Sequence, residues 1–329
     1  MSEIDALRQA LLRLQGPLFA VLDGAQFPDL PDTLMRSGLR HRCLYLDRGD
    51  NHPERLLTAP SMVELADRAE SFSYEGSFVA QENLDRLLEL LPSARAATFW
   101  ECPDGGDRLY RHLRGLNRVL VPRAKQSVDR ETGPIEGTHE AVLFRHADAN
   151  VLIQVIPALD ERQLARLLGP ARLLAFLPER QEASEATDKR VKAVHRDANW
   201  LVPLPGMLRI EAYQYEAMRE ARLQRSRLRL VAYLRDCAPE ETAGLDDRAM
   251  MQRVLLAEKS GRDLGLRSEA AHGQWAYLMM ATGGRIQEGE PVREAIRRSR
   301  DPDEGINQLM QEMVRQARAQ ATRLGAERS

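Results

Sequence analysis

AVLFRHADANVLIQVIPALDERQLARLLGPARLLAFL, running from Ala141 to Leu177, is the stretch that decides the architecture. Ala141-Val142-Leu143-Phe144 is an apolar run long enough for a strand and too short for an ordinary helix. Arg145, His146 and Asp148 then place polar groups where that strand should end, with Asp148 also positioned to cap the following helix and Arg145 to pair with it. Val151, Leu152, Val155 and Ile156 recur at helical spacing and stop at Pro157. Leu159, Leu164, Leu167 and Leu168 repeat the pattern, and Gly169-Pro170 ends it. Glycine accepts the left-handed conformation that closes a helix, and proline cannot continue one. Leu173 to Leu177 is a second buried-strand candidate. Strand, two short helices and strand make a compact α/β unit.

The same grammar extends toward the N-terminus. Ile4, Leu7, Leu11 and Leu14 mark a helix that Gly16-Pro17 should terminate. Leu18 to Leu22 is apolar on both faces, which places it centrally in a covered sheet. Asp23-Gly24 turns the chain into a short helix over Thr33 to Ser37, with Asp32 as its expected cap and Gly38 as its end. Cys43 to Leu46 and Met62 to Leu65 read as strands. Leu84, Leu87, Leu88 and Leu91 share one helix face before Pro92. Ala97 to Trp100 and Arg118 to Val121 are two further strands on either side of a helix over Leu109 to Leu116. Strands alternating with helices predict a mixed or mostly parallel sheet.

After Leu177 the texture changes. PERQEASEATDKRVKAVHRD is polar, charged and aperiodic, and reads as a surface loop or linker. Beyond it the helical signals take over. Glu211 to Asp236 is expected to bury Tyr215, Met218, Leu223, Leu230 and Leu234. Asp246 to Leu264 carries Met250, Met251, Val254 and Leu255 and ends at Gly265. Ser268 caps a helix with Ala271, Trp275, Leu278 and Met279, closed by Gly283-Gly284. Asp301, Pro302 and Glu304 open a last helix whose apolar side includes Ile306, Leu309, Met310, Met313, Val314 and Leu324. The expected organisation is an α/β lobe with a mixed sheet and flanking helices over 1–180, a polar linker over 181–205, and an all-α lobe over 206–329.

Composition bounds the chemistry. A chain of 329 residues exceeds one typical core. A net charge of −2 and a pI near 6.4 give no global pull toward nucleic acid or an anionic membrane. Cys43, Cys102 and Cys237 are widely spaced, which argues against a disulfide scaffold or a familiar zinc module and suits a reducing compartment. MSEIDALRQALLRLQG lacks the basic start and continuous apolar core of a secretory signal, and no stretch reaches the ~18 apolar residues of a spanning helix. The expected location is the cytoplasm.

Several further residues have the composition of a site without its spacing. Gly105-Gly106 and Gly283-Gly284 lack the strand–glycine–helix setting of a phosphate cradle, and no GxxxxGK[ST] occurs. His112 with Glu101, Asp104 and Asp107 offers metal-type ligands, but in no metal-binding pattern. Ser61, Ser71, Ser73 and Ser77 have no GxSxG elbow. Arg219, Arg222, Arg225, Arg227 and Arg229 make a basic run without interleaved aromatics, better suited to pairing with another helix, a partner or water than to gripping nucleic acid.

The central stretch resembles the adaptor or chaperone family of bacterial type VI secretion. Members carry an aromatic-Arg-aromatic-x-Asp-Pro-x-x-Leu segment, then a proline-ended helix, then a helix ending in Gly-Pro. Phe144, Arg145, Asp148, Leu152, Pro157, Leu168, Gly169 and Pro170 fit that pattern. His146-Ala147 and Ala149 depart from it, standing where the family has an aromatic pair and a proline. PLFAVLDGAQFPDLPDTLMRSGLRHRCLYLDR, Pro17 to Arg48, is similar to the family's opening strand, Asp-Gly-Ala turn, helix and second strand. Ala59-Pro60 with Met62, Val63 and Leu65, and Leu109 to Arg114, are similar to later segments.

That resemblance implies a non-catalytic cytoplasmic protein of a Gram-negative bacterium, one that binds a toxic effector and loads it onto the VgrG spike. It implies the effector and VgrG as partners, with no cofactor, metal, nucleic acid or membrane. Arg145, His146, Asp148, Trp200 and Trp275 are the candidate partner-binding residues. Two alternatives stay open: an enzyme of unrecognised class built on Arg145, His146 and Asp148, and a nucleic-acid-binding module on Arg219–Arg229.

Overall fold

A computed structural model describes residues 2–45, 52–65, 80–123, 138–179, 190–203 and 205–326. Leu46, Arg48, Ser71, Ser73 and Ser77, the 180–189 part of the expected linker and the side chain of Leu324 lie outside the described residues. The chain divides into two units, Met1–Arg219 and Glu220–Ser329.

In chain order the first unit holds α1 (Glu3–Leu11), β1 (Leu18–Leu22), α2 (Leu30–Ser37), β2 (His41–Cys43), α3 (Pro53–Leu57), β3 (Ser61–Glu64), α4 (Gln81–Leu90) and β4 (Ala97–Glu101). It continues through α5 (Gly106–Leu116), β5 (Arg118–Pro122), β6 (His139–Leu143), α6 (Ala149–Val155), α7 (Glu161–Leu168), β7 (Leu173–Phe176), β8 (Lys192–His195) and β9 (Leu208–Arg209). The helix α8 (Ala212–Cys237) begins in this unit and ends in the next.

Local chemistry sets these boundaries. Ser2 and Asp5 form a reciprocal capping box at α1, and Asp160 and Gln163 do the same at α7 with bonds of 2.9 and 2.8 Å. The cap of α2 is Asp29, which accepts from the Asp32 amide at 3.0 Å. The expected cap, Asp32, lies inside the first turn and pairs with Arg36 instead. The earlier start follows from Pro31, whose fixed φ suits the first turn. Gly38 ends α2 at φ 70°. Helix α1 stops at Leu11, short of Gly16-Pro17.

Six strands form one sheet in the order β2-β3-β1-β4-β7-β8, and every pairing in it is antiparallel. A second sheet, β6-β5-β9, is mixed, with β5 and β9 parallel. The predicted parallel character is therefore confined to the small sheet. The reason lies in how the crossovers interleave. α2 joins β1 to β2, which run the same way, but β3 is inserted between them. α4 lies between β3 and β4 in the chain, and those two also run the same way with β1 between them. This is the split β-α-β arrangement, in which each helix links parallel strands that never touch.

Alternation along the strands assigns the two faces of the large sheet. Leu18, Ala20 and Leu22 of β1, Val63, Phe99, Leu173 and Ala175 pack with Leu7 and Leu11 of α1, Leu30 and Leu34 of α2, and Leu84, Leu87 and Leu88 of α4. Phe19, Val21, Met62, Trp100, Leu174 and Phe176 face the other way. They meet Leu109, Leu113 and Leu116 of α5, Leu152 of α6, Leu167 and Leu168 of α7, and the small-sheet residues Val119 and Leu208. β1 is fully buried because it is covered on both faces and flanked on both edges.

β8 lies within the segment read as linker. Its exposure alternates, and among the described residues it pairs only with β7, so an edge strand stands where the sequence showed no apolar run.

The second unit is helical: the end of α8, then α9 (Pro239–Thr242), α10 (Asp247–Asp263), α11 (Glu269–Ala281), α12 (Glu290–Arg298) and α13 (Pro302–Ala326). Leu234, Met250, Val254, Leu264, Trp275, Leu278, Ile296 and Ile306 are its core. Asp246 and Ser268 cap α10 and α11 as expected. Of the positions expected to be buried on α8, Leu234 is; Met218, Leu223 and Leu230 are half-buried, and Tyr215 is exposed. Leu255 of α10 is exposed as well. No helix among the described residues is long and apolar enough to cross a membrane.

Candidate functional site

The chain leaves β6 at Leu143 and makes two tight turns, closed by the His146 amide on the Phe144 carbonyl and the Asp148 amide on the Arg145 carbonyl, both at 3.0 Å. Those turns send successive side chains in opposite directions. Asp148 caps α6, its carboxylate accepting from the Asn150 amide at 2.8 Å. Arg145 pairs with Asp148 at 3.4 Å and more closely with Asp23, the residue that ends β1. Asp23 is buried and caps the turn over Gly24–Gln26, accepting from the Ala25 amide at 3.4 Å and the Gln26 side chain at 3.2 Å.

Charge is crowded here. Burial pushes the Asp148 carboxyl up; its bond to Asn150 and the nearby Arg145 pull the other way. Burial, and then the Asp23 charge, raise the Tyr45 phenol to about 12.

His146 turns inward and is fully buried. Its Nε2 lies 3.0 Å from Asn117 Oδ1, while Asn117 Nδ2 donates to the Leu44 carbonyl at 2.9 Å. With the amide fixed by Leu44, Oδ1 must accept, so the imidazole carries its proton on Nε2. Among the described residues Nδ1, a buried acceptor, has no hydrogen-bond partner. Trp100 meets the ring edge-on at 6.4 Å between centroids, and Phe144 lies tilted at 6.2 Å. Burial presses the imidazole down to about 3. It is a neutral core side chain.

The trio expected at the strand end therefore does not converge. Arg145 pairs with Asp23 and Asp148, and His146 faces the opposite way, so it can neither touch a partner at the surface nor share a reacting atom with its neighbours. Trp275 is likewise fully buried in the second unit's core, which removes it as an anchor. Trp200 is half-buried against the first unit's core.

Three arginines of the basic run are engaged in ion pairs. Arg227 bonds Glu258 of α10 at 2.7 Å, Arg229 bonds Glu269 of α11 at 2.8 Å, and Arg219 pairs with Glu216 at 3.4 Å. The His112 set is dispersed. Asp107 pairs with Arg42 at 2.7 Å and Asp104 with Arg108 at 2.8 Å, while Glu101 is buried against Arg172 with bonds of 2.5 and 3.2 Å. Among the described residues no cluster of three or more His, Cys, Asp or Glu is placed to hold a metal ion.

His112 instead belongs to a broad cleft of about 920 Å³ at one end of the large sheet. Three neighbouring strands end or begin there. The Arg172 amide bonds the Glu101 carbonyl, and the Arg196 amide bonds the Arg172 carbonyl, both at 2.8 Å. Pro103, Pro170 and Ala171 line the cleft, with Arg108, Arg111, Arg172 and Arg196 around it and Asp104 as its acid. His112 donates Nε2–H to the Leu167 carbonyl at 2.9 Å, and its ring lies against Gly169. Burial, aided by the Arg166 and Arg196 charges, lowers this imidazole to about 4.

Sequence reading singled out His112 and Gly169-Pro170, but for other reasons. The arginines escaped it because they come from separate segments that only the strand order brings together. Residues 18–166, which include Asp23, Arg145 and Asp148, match a family described as a domain of unknown function (DUF4123). No curated protein and no solved structure matches the chain.

Proposed function

We propose that the chain is an adaptor-chaperone that binds a type VI secretion effector and presents it to the VgrG spike, without catalysing a reaction itself. Supporting this is the match of residues 18–166 to DUF4123, a domain known in type VI secretion effector adaptors. The observation that carries the reading is what became of the polar trio. Arg145 is paired with both Asp23 and Asp148, and His146 is sealed in the core, so residues that could have formed a reactive centre serve structural roles instead. Outside the matched residues, Leu201, Val202, Met207 and Tyr213 of the first unit expose apolar surface, Val202 to 84%. Such side chains gain free energy when a protein partner covers them.

Co-expression of the tagged chain with the effector encoded beside it tests the proposal. The effector should co-purify, and adding the cognate VgrG should give a ternary complex. Recovery of general chaperones alone would overturn the reading.

A further inference from the structure

The arginine cleft is cationic without being matched. Arg108 and Arg172 have acidic partners in Asp104 and Glu101. Arg111 and Arg196 do not: among the described residues, Arg111 Nε donates to the Asp107 carbonyl at 3.2 Å and Arg196 donates to the Gly169 carbonyl. A guanidinium has five N–H donors, so each of these keeps most of its fork for something else. Both side chains are exposed. Overall the chain carries −2, so this positive surface is a local feature and not part of a general basic field.

We infer that the cleft at the shared end of β4, β7 and β8 holds the carboxylates of an acidic, extended segment of a partner polypeptide. The proposal rests on the adaptor reading for the partner's being a polypeptide, and it names the chemistry of the segment. The Glu101–Arg172 fork already shows a carboxylate engaged by this row of guanidiniums, and planar forks suit carboxylates two bonds at a time. Pro103, Pro170 and Ala171 give a smooth floor on which an extended backbone can lie. Nucleic acid fits less well. Apart from His112, whose ring lies against Gly169, no aromatic side chain lines the cleft to stack a base.

The test uses the full chain and a fluorescein-labelled peptide of alternating Glu and Ser, with a Gln-Ser peptide of equal length as control. Anisotropy should show binding of the acidic peptide alone, weakening as salt rises. The double charge reversal R111E/R196E should weaken it by about tenfold or more with an unchanged thermal melt, because both side chains are exposed. Equal binding by the reversed variant, or none by the unaltered protein at low salt, overturns the inference. So does a single-stranded oligonucleotide that binds more tightly than the peptide and is lost with the same reversal.

Effector co-purification is run in parallel on both proteins. Loss of the effector from R111E/R196E alone supports the inference. Retention by R111E/R196E counts against the cleft and leaves the adaptor reading standing. Failure with the unaltered protein overturns the adaptor reading, and with it the cleft's assignment to a partner segment.

Discussion

The guanidinium of Arg145 closes on the carboxylate of Asp23, joining positions 122 residues apart. Two sequence motifs meet in that bond: the Asp-Gly-Ala turn after β1 and the Phe-Arg segment after β6. Arg145→Ala strands a buried carboxylate. Because the Arg145 side chain is 41% exposed, the expected loss lies toward the lower end of the roughly 3–5 kcal/mol that follows removal of one member of a buried pair. Urea denaturation of Arg145→Ala, and of the same variant combined with Asp23→Asn, measures it. The double variant should be the more stable of the two.

His146 and His112 together should make the fold acid-sensitive. Both imidazoles are depressed by burial from an ordinary 6.5, to about 3 and about 4. Between those values and 6.5 the unfolded chain binds more protons than the folded one, so stability rises with pH and is lost as pH falls through that window. Denaturation midpoints should fall steadily from pH 6.5 toward 4. His146→Gln removes one titrating group and should flatten that slope, whatever it does to absolute stability.

Asp148 has the opposite sign. Its carboxyl is raised above 3.8, chiefly by burial, so the folded state holds its proton longer and the group costs stability as pH climbs through the raised value. Asp148→Asn keeps a capping oxygen and should approach or exceed the unaltered protein at neutral pH while falling behind at low pH. Asp148→Ala should lose about 1 kcal/mol for the cap at either pH. A pH series of chemical melts separates the three proteins.

Gly169 has φ 56°, and a β-carbon there would sit 2.2 Å from His112 Cε1. Gly169→Ala should therefore cost about 2 kcal/mol or more, from backbone conformation and overlap together. Adding His112→Ala should recover the overlap part and leave the backbone part. Calorimetry on the pair tells the two apart.

Leu152 and Leu167 are completely buried against the sheet. Either one changed to Ala should lose about 2–5 kcal/mol. A melt equal to that of the unaltered protein would contradict the packing of α6 and α7.

Much of this architecture is legible in the residues, and the reasons differ from element to element. The helices α6 and α7 and the strand β7 can be read because apolar spacing, Pro157 and Gly169-Pro170 act locally. The order of the strands cannot, since it depends on which distant segments pair. β8 was illegible because an edge strand needs only alternate cover, and Lys192 to His195 carry no apolar run. The strand-end trio is legible in part: Asp148 caps the next helix and Arg145 pairs with it, as their local spacing predicts. What adjacency in sequence hides is that the turns after Phe144 point Arg145 and His146 to opposite sides. The arginine cleft follows the strand order and shares its illegibility.

The interleaving of β1 between β3 and β4 also governs how the chain must be made. β1 leaves the ribosome before β4 with five apolar residues, and its second edge is not covered until Ala97–Glu101 has been synthesised. Until then a sticky template waits for a late arrival, the situation in which nascent chains draw in trigger-type holdases or misassemble with a neighbour. A ribosome stalled before Ala97 should hold a protease-sensitive β1, and one stalled well after Glu101 a protected one.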